Sequence, residues 1–333
     1  MAASKSNPVY SAYVVTGNKK YDITPLMQSV DVSDREKEWA CRVSMELVDY
    51  TGDGLAGIVT DTSRIFLYAN DGGGKKETFR GFVWSGISQH RLSEKSLQIK
   101  CYDNLIFMQE SEESLFYTEG KSTKTIFSDL CSKWGVKLYY GYQSITHSKL
   151  ALRGNLSDIM TADVLDLVKD RTGAKYVILS KQDVMHVTGI GQNSTVYTFK
   201  AGQNAISTRS EWTKDGMITK VVILGKADDD ERAEVEATVA GNTAGYGTLQ
   251  KVISRDSNTT LADAKTEANN IIKKSGKPTI EYELRAIDVP WIRKGDRVKV
   301  VAANLPTSNF IVKSVERSIT NKSKDMTLTM EAA

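Results

Sequence analysis

The sequence of 333 residues predicts an α+β, mainly β fold. Two similar small β-barrel modules are expected to flank an α+β middle domain. Three observations predict this: strict two-residue alternation near the C-terminal end, the same order of strands near the other end, and helical spacing confined to the interior. In the first, Ile280, Tyr282 and Leu284 alternate with polar residues, as do Val298 and Val300, and then Met326, Leu328 and Met330. Such alternation marks a strand with one buried face. Lys294-Gly295-Asp296 and the stretch Asn304 to Asn309 supply turn residues between the runs.

The second observation is an internal similarity. Arg64 to Tyr68 resembles Arg297 to Val301, Phe79 to Val83 resembles the run from Phe310 to Val312, and Ser96 to Lys100 resembles Met326 to Met330. A turn follows the first strand of each set, Asn70 to Lys76 and Ala303 to Ser308. Three matches in one order suggest two related β modules. The expected boundaries are 1–105 for the first β-barrel module, 106–204 for the middle domain, and 205–333 for the second barrel module, which also carries one helix and a long charged loop.

Taken in order, Tyr10 to Thr16 and Lys20 to Ile23 form a hairpin around Gly17-Asn18. Val30 to Val32 leads into a charged stretch, Asp34 to Glu38. Cys41, Val43, Met45 and Leu47 then share one strand face, and further strands follow to Tyr102. In the middle, Ile126, Phe127, Leu130, Cys131 and Trp134 fall at helical spacing, with Gly135 as a left-handed cap. A strand from Val136 to Tyr140 follows. Met160, Val164, Leu165, Leu167 and Val168 predict a second helix, with Thr161 as N-cap and Gly173 as its end. Strands are expected at Ala174 to Leu179, Val184 to Val187 and Thr195 to Phe199. The last module opens near Ile206 with an apolar strand over Met217 to Gly225. The acidic and glycine-rich stretch 226–247 predicts a long mobile excursion and a candidate partner contact. A helix over Leu261 to Lys274, stopped by Gly276 and Pro278, buries Leu261, Ala264, Ala268, Ile271 and Ile272.

Composition narrows the function classes. A hydrophobic fraction of 40% is enough for real cores, and a net charge of +3 gives no global footprint for nucleic acid or an acidic membrane. The opening Met-Ala-Ala-Ser-Lys-Ser-Asn-Pro has no apolar signal core, and no run reaches membrane-spanning length, so synthesis in the cytoplasm without membrane insertion is expected. Cys41, Cys101 and Cys131 fit neither a disulfide framework nor a metal site and are expected to be buried thiols.

The search for chemistry yields no catalytic, cofactor-binding or metal residues. Gly52-Asp53-Gly54-Leu55-Ala56-Gly57 matches a dinucleotide fingerprint, but no helix is expected after it to receive a phosphate. Asp49, Thr51, Asp53 and Gly54 sit at calcium-loop positions, with Thr60 where a bidentate Glu is needed. His90, His147 and His186 lack ligand spacing and are expected on the surface or in strands. Glu110 and Glu113 could be imagined as a glycosidase pair, although spacing alone cannot place them across a sugar. Lys273, Lys274 and Lys277 suit a helix C-terminus. Trp84, Trp291, Tyr139, Tyr140 and Tyr142 are equally candidates for interface anchors and for core.

Four segments together resemble the baseplate hub proteins of contractile phage tails, including XkdQ-like proteins and, more distantly, the late control protein D group. They are Phe79-Arg80-Gly81-Phe82-Val83, the run Ile99 to Asp103, Lys294-Gly295-Asp296-Arg297-Val298, and Phe310 to Val315 ahead of a final alternating strand. The resemblance implies a non-enzymatic structural hub of a phage or tailocin baseplate, without cofactors, assembled in the bacterial host cytoplasm. It implies a homotrimeric ring whose repeated modules match a sixfold tail tube on one side and a threefold central spike on the other. Further implied partners are other baseplate proteins and the tape measure, with no specific nucleic acid. The chain ends soon after the last strand, so the spike is expected to be a separate protein. A tail-associated carbohydrate-binding module or cell-wall hydrolase is the alternative.

Overall fold

The computed structural model describes residues 7–48, 55–91, 94–225, 233–255 and 260–333. It divides into two compact units, one of Met1–Arg209 with Tyr282–Ala333 and one of Ser210–Glu281.

The first unit is mainly β, as expected, and is built around one large sheet. Strand Val9–Thr16 pairs with Lys19–Asp22 on one edge and Arg64–Asn70 on the other. Arg64–Asn70 pairs with Lys76–Arg91, which pairs with Glu94–Tyr102. The sheet continues through Arg42–Val48 to Met27–Arg35. At that point it crosses between modules: Met27–Arg35 pairs antiparallel with Asn309–Thr320, from Ser29 opposite Thr320 to Arg35 opposite Ser314. Asn309–Thr320 then pairs with Lys324–Ala332, which pairs with Thr279–Ile287 from Tyr282 onward. Arg297–Val301 joins the same sheet, antiparallel to Asn309–Thr320 and parallel to Tyr197–Lys200.

The strands of the two β modules therefore share one sheet, and no barrel closes among the described residues. The physical reason lies in Met27–Arg35. Its outer edge satisfies its backbone groups on the C-terminal strand instead of curling back within its own module. The internal similarity has a counterpart in the pairing. In each triplet the middle strand pairs antiparallel with both others, first Lys76–Arg91 and then Asn309–Thr320.

Burial follows the alternation. Tyr10, Ala12, Val14, Cys41, Val43, Met45, Leu47, Ile65 and Leu67 pack in the N-terminal core, joined by Ile319 from the far end of the chain. Leu284, Val298, Val300, Phe310, Val312, Met326, Leu328 and Met330 form the C-terminal core. Ile280 departs from its expected buried face and is exposed, because pairing with the last strand begins only at Tyr282. Gly81 is required by close approach: a Cβ there would lie 2.2 Å from the Tyr102 carbonyl oxygen.

In the middle, helix Thr123–Lys133 is capped by Ser122, whose side chain accepts from the Thr125 N–H at 3.1 Å, and it buries Ile126, Phe127, Leu130 and Cys131. The second helical segment starts earlier than expected. Asn155 caps it, accepting from the Asp158 N–H at 3.2 Å, so Thr161 is interior and opens a π turn, Thr161–Leu165, before Asp166–Thr172. Tyr176–Lys181, Val184–Gly189 and Lys137–Gly141 make a three-stranded sheet. A further antiparallel pair, Glu112–Tyr117 with Leu150–Asn155, was not legible, since each strand offers only two inward apolar residues, Leu115 and Tyr117 against Leu150 and Leu152.

In the second unit, Lys220–Leu224 is flanked by Val235–Ala240, antiparallel, and Gln250–Ser254, parallel. Helix Leu261–Ser275 packs Ala264 and Ala268 against Val221 and Ile223. Thr260 and Asp263 form its capping box. The stretch 226–247 is not one long excursion. Residues 226–232 lie outside the described residues, but 235–240 form a strand because Ala237 and Val239 pack on this core, and Thr243–Tyr246 is a helical turn.

Candidate functional site

The turn Arg293-Lys294-Gly295-Asp296 holds three parts of the first unit together. Its side toward the C-terminal strand is fixed by backbone bonds, Gly295 N–H to Val312 O at 2.7 Å and Val312 N–H to Asp296 O at 2.9 Å. Toward the middle domain, Gly191 N–H donates to Gly295 O at 2.7 Å and Arg293 reaches Ser180 O at 3.4 Å. Gly295 has φ +82°, and a Cβ there would lie 2.7 Å from Val177, so the turn seats directly on the middle sheet.

Toward the N-terminal strands the contacts are ionic and buried. Lys294 is only 1% exposed. Its Nζ donates to the carbonyls of Glu38, Arg35 at 3.2 Å and Trp39 at 3.4 Å. Arg293 Nε donates to Asp34 Oδ2 at 2.5 Å, and Lys294 Nζ lies 3.4 Å from Asp34 Oδ1. Burial alone would raise the Asp34 pKa, but the Arg293 and Lys294 charges hold it well below the usual carboxylate range. Two more carboxyls complete the cluster. Burial pushes Asp103 up to about 6 despite the Cys41 and Leu105 N–H groups it accepts from. Burial likewise pushes Asp296 up to about 6 against the Arg293 N–H.

A second buried network ties the N-terminal strand to the C-terminal module. Tyr10 OH donates to Asp288, and Arg317 Nε donates to Asp288 Oδ1 at 2.8 Å. Arg317 also donates to Val289 O at 3.2 Å and to Ile292 O. Burial raises the Asp288 pKa, with Arg317 and Tyr10 opposing it.

Above the turn lies a cleft of about 480 Å³ lined by Glu77, Arg80, Asp103, Lys181, His186 and Trp291, among others. Its charges are largely paired. Arg80 makes a two-point contact with Glu77 at 2.7 Å and also meets Asp183, which holds Arg64 at 2.7 and 2.9 Å. His186 stacks on Tyr139 with ring centroids 4.9 Å apart, and Trp291 donates to Asp71 at 2.7 Å. These contacts join modules.

Outside the cleft, an aromatic cluster faces solvent on the outer side of the N-terminal sheet. Phe82 meets Phe107 edge-on with centroids 5.0 Å apart, and Trp84 meets Tyr102 at 5.9 Å and Phe107 at 6.1 Å. Trp84 is 46% exposed and Phe107 42%. The Arg64 guanidinium lies 4.6 Å from the Phe82 ring centre.

Residues 49–54, with most of the glycine motif and calcium-loop positions, lie outside the described residues. Beyond them Leu55–Ile58 is a four-residue helical turn, where no helix was expected. His147 is buried and outside the named strands, unlike the expected surface or strand position, because its ring is bonded to Thr123 Oγ1 at 2.9 Å within the middle domain. The His90 side chain is not described. Glu113 pairs with Lys133 at 2.6 Å, while Glu110 follows the helical turn Ile106–Gln109. Lys273 and Lys274 sit in a last helical turn. Trp84 and Tyr139 point outward, whereas Tyr142 is core. Cys41, Cys101 and Cys131 are free and buried. Among the described residues no group of three or more His, Cys, Asp or Glu could hold a metal ion. No described helix is long and apolar enough to cross a membrane.

Comparison with solved structures finds the same architecture in tail proteins. A 43 kDa tail protein of prophage MuSo2 from Shewanella oneidensis superposes with a TM-score of 0.73 at 11% identity, over 97% of this chain and 98% of that one. A tail protein from Neisseria meningitidis MC58 gives 0.68 at 14% identity, over 96% of each chain. An E. coli component of the type VI secretion system, described as structurally similar to the T4 bacteriophage tail proteins gp27 and gp5, gives 0.58 at 7% identity over 92% of this chain and 73% of that one. No curated protein sequence matches. The resemblance to tail hub proteins is thus borne out at the level of fold. The YQBQ-like family model matches residues 59–331, and the chain belongs to the YQBQ-like family.

Proposed function

We propose that this protein is the structural hub of a contractile phage tail or tailocin baseplate. Three copies form a ring that joins the sixfold tail tube to a threefold spike. The reading is carried by the doubled meander: two triplets with the same pairing lie in one continuous sheet, so three chains would present six similar modules. A threefold object matches a sixfold one when each chain repeats its contact module, and such a ring uses head-to-tail contacts. The likeness in fold to tail proteins supports the reading, as does the type VI component's described similarity to gp27 and gp5.

In this reading the protein is not an enzyme. It sits in the baseplate, assembles in the bacterial host cytoplasm, and touches the tube protein, the spike, other baseplate proteins and the tape measure. Light scattering of the purified protein, alone and mixed with the cognate tube protein, tests it. A three-chain mass with ring-shaped negative-stain images is expected. A strict monomer in both samples would overturn it. Zymography on bacterial cell walls should show no clearing, and a cleared band would favour a hydrolase.

A further inference from the structure

The aromatic cluster on the N-terminal sheet is an exposed surface with the composition of a binding hot spot: Trp, Tyr and Phe with Arg. Ile87, farther along the Trp84 strand, is exposed as well. Lys100 is exposed on the neighbouring strand, opposite Ser85. The outer edge of Lys76–Arg91 pairs with Arg64–Asn70 only as far as Phe82, and beyond it no strand covers this edge among the described residues.

The same unit carries a surface of complementary character. Phe116 is 61% exposed on strand Glu112–Tyr117, on the same face as Glu112 and Ser114. From Glu110 to Glu119 the sequence holds four glutamates and no lysine or arginine. Lys149, 5.3 Å from the Phe116 ring centre, is the cation placed against this ring. The strand pairs with Leu150–Asn155 and with no other strand among the described residues.

We infer that the Phe82–Trp84–Tyr102–Phe107 cluster is the socket for the Phe116 strand of a second copy of this chain. Phe116 enters the aromatic cluster, and Glu112 faces Lys100. Socket and knob are different surfaces, so each contact leaves one of each unused and the series ends only by closing into a ring. The inference rests on the ring reading proposed above and names its surfaces.

The test uses the full chain. Ser85→Cys and Ser114→Cys are made in separate samples, mixed, and treated with a short bis-maleimide. Both serines are exposed, while the native thiols are buried, and burial pushes Cys131 up to about 12, so they should not compete. A two-chain adduct in the mixture and in neither variant alone is expected. Trp84→Ala and Phe116→Ala, both at exposed positions and checked for native circular dichroism, should each weaken association by roughly 30-fold or more. Lys100→Glu should weaken it too, and adding Glu112→Lys should restore it. If the unmodified protein forms three-chain rings while no adduct forms and both alanine variants associate normally, the socket is wrong and the ring stands. If the unmodified protein stays monomeric even with tube protein, the ring reading fails and this inference fails with it.

Discussion

Lys294 Nζ lies 3.4 Å from Asp34 Oδ1, although the two residues are 260 positions apart in the chain. Neither is exposed to water, and the lysine also satisfies the chain end of the Met27–Arg35 strand through the Arg35 carbonyl. A buried cation of this kind acts as a fastener between distant segments. Its removal leaves the Asp34 carboxylate to Arg293 alone and strands the buried carbonyls of Arg35, Glu38 and Trp39 without their donor.

Lys294→Met, which keeps length and removes the donor, should therefore destabilise the first unit by about 2–4 kcal/mol, the cost of leaving buried carbonyls unsatisfied. Urea denaturation followed by tryptophan fluorescence measures it. A loss below about 1 kcal/mol would mean that the lysine fills space without fastening anything.

The carboxyls of this cluster predict an acidic stability optimum. Asp103 and Asp296 keep protons in the fold up to pH about 6, but release them near 3.8 when unfolded. Between those values the folded state binds more protons, so stability falls as pH rises through the window. Asp34 has the opposite sign: its contribution is present above pH 3.8 and is lost as pH falls below it. Stability should peak near pH 4 and decline by on the order of 2–3 kcal/mol per raised carboxyl toward neutrality. Denaturation midpoints at pH 4 and pH 8 check this, and Asp296→Asn should shrink the difference. A flat profile would refute it.

Gly81 and Gly86 lie on the same strand and should respond differently. Gly81→Ala drives a Cβ into the Tyr102 carbonyl and should cost about 2 kcal/mol or more, whereas the nearest atom to a Cβ at Gly86 is 3.8 Å away. Gly86→Ala should change the thermal midpoint little. Equal effects would mean the strand relaxes freely at the Gly81 contact.

Tyr10→Phe removes a donor from the buried Asp288 carboxylate and should cost about 1–3 kcal/mol. Because Arg317 still pairs with Asp288, Arg317→Met should cost more. Paired denaturation curves decide, and the reverse ranking would make the Tyr10 bond, not the Arg317 pair, the main support of Asp288.

Much of the architecture was legible because it rests on periodicity. The Ile126, Phe127, Leu130, Cys131 stripe gave one helix, and the alternation from Val43 to Leu47 and from Met326 to Met330 gave strands and their buried faces. The junction was not legible. Asp34 sits in a charged stretch and Lys294 in a turn, and charged residues in such settings are ordinarily solvated. Only pairing across the chain brings them together, and no local pattern encodes it. Phe116 was hidden for the opposite reason, because the surrounding glutamates mask the alternation of its strand. Trp84 was legible as a candidate anchor, but only the fold assembles Phe82, Tyr102 and Phe107 around it.

The pairing of Met27–Arg35 with Asn309–Thr320 has a consequence for biogenesis. The ribosome makes the first strand nearly three hundred residues before its neighbour, so one sheet edge stays open through most of translation. Such an edge is slow to satisfy and prone to wrong pairing. It also means that a chain truncated before the last strands cannot finish its N-terminal sheet.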